Sequence, residues 1–237
     1  MPESKTKVLV IVEGEKTEPR IMKHLFDCFG ISGKHEIYSF KSNLYTLYQK
    51  MFINNDPESF DLLQVLKEDA APEDRSLLDN NYSDVLLIFD FDPQDHLCRP
   101  ETVVRMLEYF NESSDMGKLY INYPMAESYY HMRTIPDPDY LNYSFPVEQL
   151  KTYKKYVGEV RRHNYDTYAS SYEECKELIR SNIIKAGLLT GMSETGFIAD
   201  GTAIFHAVQQ MMHSTKCVPV LCTCVFYIWD YDPKLLS

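Results

Sequence analysis

The sequence predicts an α/β protein with a mostly parallel central sheet flanked by helices. Two continuous aliphatic runs, at residues 8–12 and 85–89, are typical of strands buried on both faces of a sheet. Strand-like and helix-like stretches alternate between residues 7 and 132, which favours parallel strands joined by right-handed crossovers. The later residues lack this alternation. We therefore divide the chain into an α/β core over residues 1–132 and a helical extension over 133–237, whose last strand completes the same globule.

The elements of the core follow one another at short intervals. The first strand is followed by a helix over about 18–29, for which Thr17 is the predicted N-cap and Gly30 the stop. Next come a strand over 35–40, helices over 42–52 and 58–68, and a polar loop over 69–83. The core then closes with the strand that ends at Asp90, a helix over 100–110 and a strand over 118–123.

The extension contains two predicted helices and one predicted strand. The helices cover about 173–186, with Gly187 as the stop, and 201–212, with Asp200 as the N-cap. The β-rich run over 218–229 is expected to add a last strand to the central sheet.

Composition narrows the class of protein. No apolar stretch is long enough to span a bilayer, the first residues lack the apolar core of a secretion signal, and the six cysteines follow no disulfide pattern. These observations favour the cytoplasm and no membrane partner. The net charge of −11 argues against nucleic-acid binding over the whole surface, so contact with a polyanion would require a local basic patch or a basic partner.

Acidic residues stand at the ends of both aliphatic strands. Glu13 follows the first strand, and Asp90 and Asp92 end the later one. In open parallel sheets, ligands bind beyond the carboxyl ends of the strands, where the strand order reverses. Three carboxylates meeting there favour a hard divalent cation, Mg²⁺ or Mn²⁺, although Asp at a strand end is also common as a turn residue. Glu15, Lys16 and Glu18 are expected to be surface charges, with Lys16 able to touch a phosphate.

Three segments together carry a resemblance to a known family. The Glu-Gly turn at 13–14 and the Asp-x-Asp at 90–92 resemble the TOPRIM domain of topoisomerases, primases and OLD-type nucleases. Within that superfamily, Val-Glu-Gly-Glu-Lys-Thr-Glu-Pro at 12–19 is similar to the opening of the RloB-like and AbiLii-like proteins of bacterial antiphage defence. Asn-Tyr-Pro-Met-Ala-Glu at 122–127 is similar to their Asn-Pro-x-x-Glu segment. The resemblance covers residues 7 to about 131.

The resemblance implies a metal-dependent nuclease that cleaves phosphodiester bonds in DNA or RNA, with tRNA among the candidate substrates, in abortive infection. Glu13 would be the general acid/base or a metal ligand, Asp90 and Asp92 would hold Mg²⁺ or Mn²⁺, and Glu127 would complete a second metal position. The chain has no Gly-x-x-x-x-Gly-Lys-Ser/Thr segment. If it acts as the OLD-type nucleases do, its ATPase must be a separate ABC/SMC-like subunit.

The most basic segment of the chain is the predicted contact for nucleic acid. Its cations are Lys151, Lys154, Lys155, Arg161 and Arg162. Tyr153, Tyr156 and Tyr165 lie among them, as is typical of surfaces that stack on unpaired bases. The competing interpretation is an exposed helix whose charges are merely solvated.

Two other functional classes remain open. Asp90-Phe91-Asp92 is also compatible with the nucleophile and acid of a HAD-type phosphatase, although Gln94 stands where those enzymes carry Thr. The other class is a non-enzymatic, partner-binding module with a TOPRIM-like core. Cys217, Cys222 and Cys224 are expected to be core residues rather than zinc ligands, because no Cys-x-x-Cys pair accompanies them.

Overall fold

The computed structural model describes residues 7–53, 57, 59, 61–160, 164–192 and 200–237. Within these ranges, no helix combines the length and the apolarity needed to cross a membrane. The predicted α/β class and the parallel central sheet flanked by helices are confirmed.

The central sheet has four strands, all parallel. They are β1 (Val8–Val12), β2 (His35–Ser39), β3 (Asp84–Asp90) and β4 (Lys118–Asn122), in the order β2-β1-β3-β4. The register aligns Val12 of β1 with Ile88 of β3. The chain leaves β1 toward β2 on one side and then returns to add β3 on the other side. The strand order therefore reverses between β1 and β3, which is where ligands bind in sheets of this kind.

The helices of the core lie near their predicted positions, with one addition. They are α1 (Thr17–Cys28), α2 (Leu44–Tyr48), α3 (Leu62–Asp69), α4 (Pro72–Leu78) and α5 (Pro100–Tyr109), and α2 continues into a π-helical turn over Gln49–Ile53. Helix α4 lies inside the stretch predicted to be a loop. Pro72 in its first turn and two acidic residues after it suit a helix start, a signal that the polar composition concealed.

The extension consists mainly of helices. It contains β5 (Ser144–Pro146), α6 (Tyr153–Val160), α7 (Tyr172–Thr190), α8 (Gly201–Thr215), β6 (Cys217–Pro219) and α9 (Tyr227–Tyr231). The side chain of Asp200 accepts a hydrogen bond from Ala203 N, which confirms it as the N-cap of α8. Helix α7 runs through Gly187, the predicted stop, and ends at Gly191, which has a left-handed φ of 70°.

The prediction of a last strand in the central sheet is wrong. Of the run over 218–229, only the residues in β6 form a strand, which pairs antiparallel with β5 in a separate two-stranded sheet. Most of the rest is helical, over Cys224–Phe226 and α9. Residues 218–228 are buried throughout, and a run buried on all sides suits a packed helix as well as a strand. An antiparallel bridge from Leu221 to Tyr123 covers the end of the β4 edge.

Elements of the extension pack directly on the core. Helix α8 packs against α5 and β4, α7 packs against α1, and α6 packs against the 3₁₀ turn Ala126–Tyr130 that follows β4. The first half of the chain supplies the sheet, and the second half closes the space beyond its carboxyl edge.

Candidate functional site

Glu13 and Asp90 lie side by side at the reversal of the strand order. Glu13 N donates to Ile88 O at 3.1 Å, which holds the residue after β1 against β3. The carboxylate of Glu13 turns back over the end of β3, where its Oε2 accepts a hydrogen bond from Asp90 N at 3.1 Å. The structure thus brings the acids of the two strand ends together.

A third strand end joins them through the segment after β4. Asp90 pairs in register with Asn122, and Asp90 Oδ1 accepts a hydrogen bond from Ala126 N at 2.8 Å. The next residue, Glu127, is only 3% exposed. Residues from the ends of β1, β3 and β4 therefore surround one acidic site.

The cation that meets this site is Lys154, from α6 of the extension. Its Nζ lies 2.5 Å from Glu127 Oε1 and 3.5 Å from Thr17 Oγ1, while 66% of its side chain is exposed. Thr17 also donates to Glu127 Oε1 at 3.1 Å. Thr17 was predicted to cap α1; instead it is the first helical residue, and its hydroxyl serves the buried carboxylate.

Glu18 was predicted to be a surface charge, and that prediction is wrong. It is 6% exposed, and its Oε1 accepts a hydrogen bond from Gly14 N at 3.3 Å. A Cβ atom at position 14 would lie 3.1 Å from Glu18 Oε2, so the glycine lets the carboxylate approach the backbone. The first turn of α1 faces the acidic site, so Glu18, the second residue of the helix, is buried there. Burial was the property that the local sequence could not reveal.

Asp92 lies farther from the centre. It is exposed, beyond the last residue of β3, and its Oδ1 accepts a hydrogen bond from Gln94 N at 3.0 Å, as is usual for an Asp that begins a turn. Asp95 in the same turn is occupied by Asn43 and by the backbone of Leu97. The two aspartates form the outer rim of the site.

The crowding of acids changes their proton affinity. Burial raises the pKa of Glu13 to about 7, and the charges of Glu18, Asp92 and Asp95 add to this rise. The hydrogen bond from Asp90 N acts in the opposite direction. Burial, followed by the charges of Glu13, Glu18 and Glu127, raises the pKa of Asp90 well above its ordinary value. The pKa of Glu18 is also raised, chiefly by burial. Near neutral pH the site must therefore hold protons or another source of positive charge.

The donor set suits a hard divalent cation. All of the acidic groups offer carboxylate oxygens, the ligands that Mg²⁺ and Mn²⁺ prefer. Glu13 and Asp90 each use one oxygen for a backbone amide, which leaves the other to face an ion. Among the described residues, no three of these acids bring their oxygens within 4.8 Å of one another, so an ion would have to draw them inward.

The basic segment is only partly available for nucleic acid. Lys151, Lys154 and Lys155 are exposed, but Lys154 pairs with Glu127 and Lys155 lies 3.8 Å from Glu159. Lys16, outside this segment, is also exposed. Arg161 and Arg162 lie outside the described residues.

Tyr153, from this segment, and His131, which it contacts, both belong to the core. Tyr153 was predicted to stack on bases, but it is fully buried, and its hydroxyl bonds to Nδ1 of His131 at 2.8 Å. Burial, together with Lys185 and Arg133, lowers the pKa of His131 to about 4, so this histidine is neutral and structural.

Comparison of the chain with protein families, with curated proteins and with solved structures found no match.

Proposed function

We propose that the protein is a metal-dependent nuclease of TOPRIM type. The observation that carries this proposal is the hydrogen bond from Asp90 N to Glu13 Oε2, which joins the acidic ends of two neighbouring parallel strands. Paired strand-end acids at the reversal of the strand order are what the resemblance to TOPRIM domains requires. The wider family membership, with the RloB-like and AbiLii-like antiphage proteins, is part of the same proposal.

Four side chains of the site have a proposed task in phosphodiester cleavage. A carboxyl group with a pKa of about 7 accepts a proton from water and returns it to a leaving oxygen near neutral pH, and Glu13 meets that condition. Mg²⁺ or Mn²⁺ held by Asp90 and Asp92 would supply the positive charge that stabilises the phosphoryl oxygens. Glu13 would be a third ligand only where it does not act as the acid/base, because a bound cation lowers the pKa of a carboxyl group. Lys154 stands at the exposed rim, where its ammonium group can meet a phosphate of the substrate.

The proposed substrate is a nucleic acid, and the proposed partner is a separate ATPase of the ABC/SMC-like class. A chain of net charge −11 with few available cations around the site holds a polyanion weakly by itself. A basic partner subunit would supply the missing contacts and the nucleotide-driven step.

The test is cleavage of plasmid, single-stranded DNA and total tRNA with Mg²⁺ or Mn²⁺, with and without a candidate ATPase. We expect Asp90→Asn and Glu13→Gln to abolish cleavage, whereas Glu15→Gln, an exposed acid close by in sequence, retains it. Cleavage that survives Asp90→Asn combined with Asp92→Asn would disprove the assigned site. No cleavage with any substrate and partner would favour the non-enzymatic, partner-binding module.

A further inference from the structure

A second group of potential metal ligands lies between α1 and α7. His24 and Cys28 are four residues apart on α1, and therefore share one face of the helix, while Cys175 lies in the first turns of α7. The Sγ atoms of Cys28 and Cys175 are 2.9 Å apart, and Nε2 of His24 is 3.7 Å from Sγ of Cys175. In the described part of the chain, this is the group of three whose ligating atoms all lie within 4.8 Å of one another.

These distances are close to those around a tetrahedral zinc ion. Ligand bonds of about 2.3 Å to sulfur and 2.0 Å to nitrogen place a sulfur and a nitrogen about 3.5 Å apart, and two sulfurs about 3.8 Å apart. The spacing between His24 and Cys175 already fits. The two sulfurs would separate by about 1 Å, a movement that a cysteine side chain makes by rotation.

The surroundings of the group favour a bound cation. Cys175 is fully buried, whereas His24 and Cys28 are half-buried and leave a path for an ion to enter. The carbonyl oxygen of Ala169 lies 2.9 Å from His24 Nε2 and 3.1 Å from Cys175 Sγ. Ala169 has a φ of 51°, in the left-handed region that alanine rarely adopts, and this conformation directs its carbonyl at the group. The fourth ligand position can be filled by this oxygen or by water.

We propose that His24, Cys28 and Cys175 form a site for a thiophilic divalent ion of the zinc class, which fastens α1 to α7. The two thiol protons leave to solvent as the thiolates bind. The bond to Ala169 O places the imidazole proton on Nε2 in the metal-free chain, so this proton moves to Nδ1 by exchange with solvent and frees Nε2 to bind the ion. Cys28 lies ten residues beyond Glu18 on α1, or about 15 Å along the helix axis, so the ion is separate from the acidic site. Its role is structural: it would hold the helix that carries Thr17 and Glu18 against the extension.

The experiment uses the reduced, full-length chain and Co²⁺ as a spectroscopic substitute for zinc, with excess Mg²⁺ present to occupy the carboxylates. We expect a single Co²⁺ per chain, a thiolate-to-metal charge-transfer band and the intense visible bands of tetrahedral coordination. Zn²⁺ should displace the Co²⁺ and abolish these bands. A Co²⁺ ion bound only by carboxylates has no thiolate band.

Variants assign the ligands. Loss of a residue that only hydrogen-bonds to a metal ligand weakens metal binding by roughly 10–100-fold. Cys28→Ser and His24→Gln remove ligands themselves, so they should weaken Zn²⁺ binding by more than this. Cys217→Ser, which alters another half-buried cysteine, should leave it unchanged. Because Cys28 and His24 are half-buried, these variants are expected to fold, which urea denaturation checks.

Three results would overturn the proposal. They are a Co²⁺ spectrum without thiolate charge transfer, Zn²⁺ affinity unchanged in Cys28→Ser, and a chain that is isolated with Cys28 and Cys175 as a disulfide pair and binds no ion even after reduction. The disulfide is recognised as an intact mass lower by two hydrogens before reduction. None of these results bears on nuclease activity, so the two proposals fail separately.

Discussion

Neutralising Glu13 should stabilise the metal-free protein, and the effect should depend on pH. The pKa of Glu13 rises from 4.5 to about 7 on folding, so the folded chain binds a proton more readily than the unfolded chain does. The contribution of Glu13 to stability is therefore fully present below the unfolded pKa and is lost as the pH rises through the folded pKa. Because a tenfold change in an equilibrium constant corresponds to about 1.4 kcal/mol, the loss is at most about 3 kcal/mol.

Glu13→Gln isolates this electrostatic cost. The carbonyl oxygen of Gln can still accept the hydrogen bond from Asp90 N, while the ionisable group is gone. We expect the variant to exceed the wild type in free energy of unfolding by up to about 3 kcal/mol near pH 8, and by less than about 1 kcal/mol at pH 5.

The assay is urea denaturation in EDTA at several pH values, followed by the fluorescence of the single tryptophan. Glu15→Gln is the matched control, because Glu15 is exposed and its ion pair with Lys41, at 3.1 Å, lies at the surface. Near pH 8, a divalent ion at about 100 times its dissociation constant should restore about 2.7 kcal/mol to the wild type, and less to the variant.

A stability difference that is the same at every pH would refute this reasoning, since it would then arise from packing. A variant less stable than the wild type near pH 8 would show that neither burial nor the neighbouring acids disfavour the ionised form of Glu13.

Three other predictions concern the extension. Lys154→Gln should slow cleavage by about tenfold or more and should lower the free energy of unfolding by more than about 1 kcal/mol, because the buried carboxylate of Glu127 loses its cation. Lys155→Gln, which breaks an exposed pair, should cleave normally, and equal rates for the two variants would contradict the assignment. Gly191 and Lys216 both have a positive φ, which glycine adopts without strain. Gly191→Ala should therefore lower the free energy of unfolding, measured in urea, by about 1 kcal/mol, and Lys216→Gly should raise it by up to the same amount. A more stable Gly191→Ala or a less stable Lys216→Gly would contradict this prediction. Ser171→Ala should cost about 1 kcal/mol by the same assay, because it removes the capping box of α7, and an unchanged midpoint would show that the cap is dispensable.

Features that depend on neighbouring residues could be predicted from the sequence. The aliphatic runs of β1 and β3 indicated strands buried on both faces, and the geometry of parallel strands then placed Glu13 beside Asp90. Asp200 acts on a backbone amide three residues away, so its role as an N-cap was also visible.

Features that depend on distant residues were missed. The ion pair of Lys154 with Glu127 had no signature in the sequence, because only the packing of α6 on the turn after β4 brings the two residues together. Glu18 has the sequence surroundings of a surface residue and is buried by the site itself. The clustering of His24, Cys28 and Cys175 has no recognisable spacing in the sequence, because Cys175 lies on another helix.

The bridge from Leu221 to Tyr123 and the side chain of Asn122 have a consequence for synthesis of the chain. Asn122 is fully buried, and its Oδ1 accepts hydrogen bonds from the backbone of Thr223, 101 residues later, and of Cys224. Until the ribosome has released those residues, the free edge of β4 remains open to pairing with other chains. The nascent α/β core therefore has a period of exposure that ends only when the last segment of the fold emerges, and this interval is when a chaperone would be of most use.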